Sequence, residues 1–395
     1  MPRIGLITGE YPPMEGGVGA FTQELAQALA ANGHEIHILT SREARPATAV
    51  HHPSALRQPT QLDFAQLYPF IHKWRWPSLT AVAEWVMRYN LDVVNIQYQA
   101  AAYNMRSPAI NFLPWRLRGL VKTVVTFHDL RVPYLFPKAG RLRQTAVHFM
   151  ARQAHGVIVT NQADYQALTS NLQTPVRQIP IGSNIATHTP SAAEVTAVRQ
   201  SLHLQAGDFL LGYFGFLNES KGADTLIDAL AQMDTAVHLV FIGGQTGSSD
   251  PTNQAFLAQL QSQIARLGLT GRVHWSGFLP DPQVSAYLHA ADLMAMPYRD
   301  GVSLRRGTLM AVLAHGRPLV TTYPTVPVPE LKHGETMWLV PPDDAFELAE
   351  AVRALQANAE LRQALGSGAA QVADQFSWER IAEQTADWLL QDFGN

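Results

Sequence analysis

Residues 291–322 read ADLMAMPYRDGVSLRRGTLMAVLAHGRPLVTT, and they decide the fold. A short apolar run, Leu293 to Met296, ends at Pro297, and a polar turn with Gly301, Ser303, Arg305 and Arg306 follows. An apolar run of helical character from Thr308 to Ala314 stops at Gly316; after Pro318 a β-branched run, Leu319 to Thr322, begins. Strand, basic turn, helix, Gly-Pro stop and strand make one βαβ unit. A helix N-terminus offers unpaired N–H groups and a partial positive charge, and here two arginines stand beside it. Such a turn can hold a phosphate at the carboxyl end of a parallel sheet; a solvated surface turn is the plainer alternative.

Outward from this stretch the same alternation covers almost the whole chain, the pattern of an α/β protein with parallel sheets. The first half reads as strands near Arg3–Thr8, Glu35–Thr40, Val93–Gln97, Thr123–Phe127, Val157–Thr160 and Val176–Ile179. Helices are expected over Gly19–Ala31, Ser78–Asn90, Arg141–Gln153 and Gln162–Ser170. The run Ile179 to Asn184 carries Pro180 and Gly182 and, with the polar residues Ala186–Ala192, reads as an interdomain connection. A second series then predicts strands near Phe209–Phe214, Val237–Ile242, Val273–Trp275, Leu293–Met296, Leu319–Thr321 and Trp338–Val340. Helices are expected between them, including Gly222–Gln232, Asn253–Leu267 and Phe346–Gln356, and a last one over Trp378–Leu390. The expected architecture is two doubly wound Rossmann-like domains facing a central cleft. The first covers residues 1–182, residues 183–205 form a linker and first helix, and the second covers 206–375.

A chain of 395 residues is too long for one ordinary core, which agrees with two domains. A formal net charge of −3 argues against a general nucleic-acid binder. The absence of Cys excludes disulfides, thiol nucleophiles and Cys-ligated zinc together. No signal-peptide pattern opens the sequence and no run approaches 18 apolar residues, so the expectation is a soluble, cytoplasmic protein.

Three further turns carry candidate chemistry. Gly16-Gly17-Val18-Gly19 lies between the first strand and the first helix, where glycines let backbone approach a bound group or pack a tight turn. It lacks the dinucleotide spacing, and Thr40 and Ser41, not an acidic residue, end the second strand, which disfavours a nicotinamide enzyme. Gly215 to Gly222 forms a second strand-to-helix turn, where Asn218 and Lys221 stand at the mouth and the lysine can neutralise a diphosphate. His128 follows a strand in Thr126-Phe127-His128-Asp129, where Asp129 is placed to orient the imidazole. Between Met105 and His155 the charges are Arg106, Arg116, Arg118, Lys122, Arg131, Lys138, Arg141, Arg143 and Arg152 against Asp129 alone, and Phe70 to Trp76 mixes basic and aromatic residues upstream. That composition suits an anionic lipid surface or a phosphorylated acceptor, and equally a solvated basic face. No metal-binding or nucleophile-elbow motif occurs, which points to chemistry done by positioning and electrostatics.

With these residues in place the chain resembles a retaining glycosyltransferase of the GT-B fold, family 4 (glycosyl transferases group 1). The resemblance runs over nearly the whole length. It is carried by Gly16, Gly17 and Gly19, Thr126–Asp129, Pro180–Asn184, Lys221-Gly222, Gly243-Gly244, Ser276-Gly277-Phe278, Ala314-His315-Gly316-Arg317-Pro318, Pro329-Glu330-Leu331 and the final helix. It implies a C-terminal domain that binds a nucleotide sugar and an N-terminal domain that binds the acceptor, with residues 376–395 crossing back to the latter. Carried over, Lys221 meets the donor diphosphate, Phe278 lies along the base, His128 faces the donor sugar and Gly17 lets the cleft close over the phosphate. Asn218, Gly243, Thr308 and Glu330 join the donor side, and Gly16, Gly19 and Arg131 the acceptor side.

The departures from the family pattern are specific. Phe216 stands where members usually carry an arginine, and Ser303 and Ala311 where they usually carry two glutamates. Arg305 or Arg306 is the expected replacement for the diphosphate charge, and Asp300 or Ser303 for the sugar contact. The resemblance implies metal-independent transfer of a sugar, with retained configuration, from a nucleoside diphosphate to a hydroxyl of a glycan, lipid-linked, phosphorylated or small-molecule acceptor. It implies no cofactor and no metal, the nucleoside-diphosphate sugar being a co-substrate, and no nucleic acid; the basic N-terminal domain adds an expected peripheral contact with the inner membrane face. Two alternatives stay open: an epimerase or phosphorylase on the same fold, and a non-catalytic nucleotide-sugar-binding or partner subunit.

Overall fold

A computed structural model describes residues 1–14, 16–45, 59–103, 107–130, 140–170, 172–183, 185–244 and 251–393, with backbone alone for 140–143, 251 and 252. The chain divides into two units, residues 1–182 with 378–395, and residues 183–377. In the first, the order is β1 (Arg3–Thr8), α1 (Gly17–Ala31), β2 (Glu35–Ser41), β3 (Thr60–Gln61), β4 (Gln66–Ile71), α2 (Trp76–Arg88), β5 (Val93–Tyr98), α3 (Leu113–Leu117), β6 (Lys122–Phe127), α4 (Gly140–Gln153), β7 (Gly156–Val159), α5 (Gln162–Thr169) and β8 (Val176–Gln178). The second unit holds α6 (Ala192–Ser201), β9 (Phe209–Phe214), α7 (Ala223–Leu230), β10 (Val237–Ile242), α8 (Pro251–Arg266), β11 (Val273–Trp275), α9 (Asp281–Ala290), β12 (Leu293–Met296), α10 (Gly307–Ala314), β13 (Leu319–Thr322), β14 (Trp338–Val340), α11 (Ala345–Ala357) and α12 (Ala359–Ala373). The final helix, α13 (Trp378–Leu390), belongs to the first unit.

The eight-stranded sheet runs β3-β4-β2-β1-β5-β6-β7-β8, and every pairing except β3 with β4 is parallel. The six-stranded sheet runs β11-β10-β9-β12-β13-β14 and is parallel throughout. Both orders reverse direction once, between β1 and β5 and between β9 and β12, and ligands of doubly wound sheets sit outside the carboxyl ends at such a reversal. Parallel strands are covered on both faces, which is why β1, β5 and β9 are buried almost end to end.

Helix α1 presents Phe21, Leu25 and Leu29 at four-residue spacing to one face of the first sheet. Ile381, Ala382 and Leu389 of α13 complete that layer. Val82, Trp85, Leu113 and Met150 build the opposite layer. In the second unit the layer around Leu226, Leu230, Leu260, Leu348 and Val352 packs on Leu211, Tyr213 and Leu239. The segment before α6 is pinned to α9, where Ala186 N–H donates to Asp281 Oδ2 (3.0 Å) and His188 N–H to Ser285 Oγ (3.3 Å).

Three expectations change. The basic and aromatic run Phe70 to Trp76 is in large part structural: Ile71 ends β4, and Trp74 is buried with its indole N–H donating to Ser41 Oγ (2.9 Å). Pro69 hides the strand from a pattern reading, and the register shifts where β2 passes it, from Thr40↔Pro69 to Ser41↔Ile71. The helix expected over 222–232 begins at Ala223 after a 3₁₀ turn, Glu219–Lys221, because Gly222 adopts φ +67° with its α-carbon against the Pro297 carbonyl. Lys122 also leaves the proposed basic patch, since its ammonium donates to the Leu390 and Gln391 carbonyls (3.4 and 2.9 Å) that end α13. Arg106, Arg131 and Lys138 lie outside the described residues, as do the side chains of Arg141 and Arg143.

Because α13 contributes fully buried side chains to the first unit, Ile381→Ala should destabilise it by about 2–5 kcal/mol. Urea unfolding followed by a first-unit probe, Trp85 fluorescence for example, measures the loss.

Candidate functional site

In the second unit the reversal point brings β9 and β12 side by side, and the loops leaving their carboxyl ends carry most of the expected donor residues. Gly215, at φ +116°, has no side chain to separate them: a Cβ there would lie 2.7 Å from Thr308 Cγ2 and 3.4 Å from Lys221 Nζ. Lys221 and Thr308 therefore converge. The Lys221 ammonium donates to the Phe216 carbonyl (2.7 Å), and its pKa falls to about 8, through burial first and the nearby Arg306 second. Asn218 shapes this turn rather than facing outward: its carbonyl accepts from Lys221 N–H (3.1 Å) and its side-chain oxygen from Ser220 (2.9 Å).

Arg305 and Arg306 share one counterion. Arg305 Nη2 donates to Asp300 Oδ2 (2.8 Å) and Arg306 Nη2 to Asp300 Oδ1. The Arg306 guanidinium lies over the ring of Tyr298, 4.0 Å from its centroid, and its Nε is buried with no acceptor. Asp300 or Ser303 was expected to meet the sugar; both Asp300 oxygens hold arginines, because two guanidiniums this close need a carboxylate between them. Ser303 forms the turn into α10, its carbonyl accepting from Arg306 N–H (3.3 Å). Helix α10 starts without a side-chain cap and without an acidic residue in its first turn. Three cations, Lys221, Arg305 and Arg306, thus stand against the carboxylate of Asp300 beside an uncapped helix N-terminus.

Gly243 and Gly277 pair at the ends of β10 and β11, where Gly243 N–H donates to Ser276 Oγ (2.9 Å). Phe278 follows with 80% of its surface exposed, and the Phe216 ring lies against Gly244. Ala311 is fully buried and brings no polar side-chain atom to the site. Glu330 lies in the loop between β13 and β14, with its carbonyl accepting from Thr336 Oγ1 (3.4 Å).

In the first unit His128 does follow β6, and Gln97 at the end of β5 holds its ring, Nε2 to Oε1 2.8 Å, a partner that the expected role of Asp129 did not include. A hydrogen-bond chain fixes the tautomer. The Val124 carbonyl only accepts, so Asn95 Nδ2 donates to it (3.3 Å) and Asn95 Oδ1 accepts from Gln97 Nε2. Gln97 Oε1 is then left to accept from His128 Nε2–H, and Nδ1 carries the lone pair. Burial lowers the imidazole pKa to about 3, and the Phe21 ring meets it edge-on, centroids 4.6 Å apart. Two residues of this site were not anticipated. Gln97, with Asn95 two positions earlier, puts fully buried amides on one face of an apolar strand, a signal readable in VVNIQY. Glu10 ends the turn after β1, and its Oε1 accepts from Val18 and Gly19 N–H (3.0 and 3.2 Å) at the start of α1.

Gly16, Gly17 and Gly19 differ in purpose. A Cβ on Gly16 would come within 2.1 Å of the Glu10 carboxylate, and one on Gly19 within 3.1 Å of the Glu10 carbonyl, whereas one on Gly17 meets nothing within 4 Å. Arg131 lies outside the described residues. No group of three or more His, Asp or Glu able to hold a metal occurs among the described residues, and no described helix is long and apolar enough to cross a membrane.

Two family profiles match: glycosyl transferases group 1 over residues 208–358, and a glycosyl transferase 4-like domain over residues 16–182. A D-inositol 3-phosphate glycosyltransferase of Pseudarthrobacter chlorophenolicus is 26% identical, covering 98% of this chain and 94% of its own. A phosphatidyl-myo-inositol mannosyltransferase of Mycobacterium leprae is 25% identical over 97% of this chain and 95% of its own. Among solved structures, sucrose-phosphate synthase from Thermosynechococcus elongatus superposes with a TM-score of 0.77 at 22% identity, covering 98% of both chains. Anabaena HepE in complex with UDP and glucose gives 0.76 at 21%, covering 98% of this chain and 99% of its own. The fold is GT-B, built from two Rossmann-like units.

The lysine and the histidine titrate in opposite senses from the pH of interest. Lys221 loses its charge as pH rises through about 8, so nucleoside diphosphate binding should weaken above that pH; Lys221→Arg should flatten the dependence, as read by calorimetry across pH. His128 binds its proton more weakly folded than unfolded, so stability falls as pH drops from 6.5 through about 3. His128→Gln should remove up to about 1.4 kcal/mol per pH unit of that slope, measured by denaturant unfolding.

Proposed function

The chain belongs to the glycosyl transferases of group 1, and from that premise we propose that it moves a sugar, with retention of configuration and without a metal ion, from a nucleoside diphosphate to an acceptor hydroxyl. The observation that carries this reading is the set of Lys221, Arg305 and Arg306 around the uncapped start of α10, at the β9/β12 reversal. As the bond from the anomeric carbon to the diphosphate breaks, negative charge grows on the departing phosphate. Cations already in place stabilise it without reorganisation. They meet the diphosphate charge that a divalent ion meets elsewhere, so no cofactor is required.

Asp300 is occupied by two arginines and is badly placed to act as a covalent nucleophile. The reading is therefore front-side transfer, in which the leaving phosphate helps to take the acceptor proton. Exposed Phe216 and Phe278, at the ends of β9 and β11, supply aromatic surface for the base. Neutral His128 offers its Nδ1 lone pair to a sugar hydroxyl and cannot repel positive charge building at the anomeric carbon. Relatives named for inositol phosphate and phosphatidylinositol point to a polyol or sugar hydroxyl as acceptor.

A second reading, binding of a sugar nucleotide without turnover, is favoured by one observation: Ser303 and Ala311 bring no carboxylate to the site. Release of nucleoside diphosphate from UDP-, GDP- and ADP-sugars, with an acceptor panel, separates the two. Lys221→Ala or Arg306→Ala should weaken nucleotide binding by about 1.5–3 kcal/mol, roughly 10- to 100-fold. EDTA should leave turnover unchanged. Strict dependence on a divalent ion, or unchanged nucleotide affinity in both variants, would overturn the assignment.

A further inference from the structure

We infer that Arg299 is a positioning residue of the donor site: it fixes the Lys221 turn against the Arg305/Arg306 turn, and with them the spacing that suits a diphosphate over a single phosphate. The inference rests on the transferase reading above for the identity of the anion.

The three cations come from two loops, Lys221 from the one after β9 and the arginines from the one after β12. Two linked phosphoryl groups are met at once only if those loops keep a set distance. Arg299 stands between them. Its backbone N–H donates to the Ser220 carbonyl (3.0 Å) and its Nη1 to the Glu219 carbonyl (3.3 Å), both just before Lys221. Its Nη2 donates to Asp224 Oδ2 (2.5 Å), in the first turn of α7 just after Lys221. The guanidinium thus holds the lysine's turn on both sides. The next residue in the chain, Asp300, bridges Arg305 and Arg306. Two consecutive side chains therefore fasten the two cation-bearing turns.

A third loop anchors the fastening. Arg299 Nε donates to Asp343 Oδ1 (2.7 Å) after β14, where Asp343 adopts φ +56°, a conformation that side chains seldom take. Asp344 next to it accepts from Glu347 N–H (2.9 Å) and caps α11, so the anchor is tied to a helix. The Glu219 carboxylate, exposed and 3.5 Å away, adds little. The backbones of the two cation loops touch at Gly222, where a Cβ would lie 2.0 Å from the Pro297 carbonyl. One such contact leaves a pivot, and the Arg299 bonds remove it. All three guanidinium nitrogens hold partners in these loops, so Arg299 acts through Lys221. Its loss has a second consequence, of charge alone. Asp224, whose Oδ1 is buried without a partner, would become an uncompensated carboxylate near the cations.

The test compares the full chain as wild type, Arg299→Lys, Arg299→Ala and Arg299→Ala/Asp224→Asn. Calorimetry across pH is run with UDP, GDP, ADP, their monophosphates and inorganic pyrophosphate. Wild type should bind a nucleoside diphosphate, and more weakly above about pH 8, where Lys221 loses its proton. Arg299→Lys keeps the charge and cannot span three loops. It should lower diphosphate affinity about tenfold while monophosphate affinity changes less than about twofold. The pH inflection should also move upward, because a lysine released from burial and from Arg306 regains a higher pKa. The double variant should stay as weak as Arg299→Lys; its full recovery would mean that Arg299 only neutralises Asp224, and would overturn the inference. An equal fall for mono- and diphosphates, or an unmoved inflection, in Arg299→Lys overturns it as well, and this variant decides where the alanine variants do not fold. A wild type that binds neither a diphosphate nor pyrophosphate also sinks it. Diphosphate binding without turnover of any sugar nucleotide sinks the transferase reading alone and leaves Arg299 to the binding data.

Discussion

Every helix in a doubly wound unit that follows a parallel strand starts at the same edge of the sheet, so its unpaired amides gather there and need acceptors. The two helices that follow the first strand and the reversal strand meet this constraint in opposite ways. Helix α1 is closed by the Glu10 carboxylate from within the chain. Helix α10 is left open, with cations around it and no side-chain cap. The same backbone requirement thus gives one end that has its anion built in and one end arranged for an anion from outside.

The open end is costly to assemble. Two guanidiniums and an ammonium close together repel, and burial adds a desolvation penalty. The chain lowers that cost in three ways. Asp300 bridges the two arginines, the Tyr298 ring faces the Arg306 guanidinium, and the Phe216 carbonyl accepts a hydrogen bond from Lys221. What is left over is visible as a lysine pKa drawn down to about 8 and an Arg306 Nε with no acceptor. Both are the marks of a cation cluster held ready for negative charge. A carboxylate at position 303 would compete with Asp300 for the arginines, whereas serine turns the chain into α10 without drawing charge from them.

Elements with strong periodicity were legible from the sequence alone. Strands such as Phe209–Phe214 and Leu293–Met296 appear with their expected bounds, because apolar runs between turn residues have no other stable use in a parallel sheet. The strand Gln66–Ile71 was not legible, since Pro69 and the basic residues after it contradict the pattern that the register shift then accommodates. Among site residues, the positions of Lys221, Arg305 and Arg306 followed from their turns, and what they touch did not. The pairing of Asp300 with both arginines depends on how a turn closes, and the pairing of Gln97 with His128 spans 31 residues across neighbouring strands. Glu10 escaped notice because its partners are backbone amides, which leave no trace in side-chain spacing.

The two units differ in electrostatic character as well as in sequence. Around β9 and β12 the residues leaving the strand ends are predominantly cationic. Around β1, β5 and β6 they are a carboxylate, a carboxamide and an imidazole held neutral, so that end carries no cation among the residues described. A sugar nucleotide has a charged diphosphate and an uncharged sugar, and the cations of the second unit suit the first of these. Among the described residues this end offers hydrogen-bond acceptors to a bound group. Had Gln97 been a glutamate, the imidazole would be drawn toward its charged form, and the end would regain a proton to offer an anion. The neutral carboxamide chain from Val124 through Asn95 and Gln97 to His128 keeps that from happening, which gives a physical reason for burying two amides in the middle of an apolar strand.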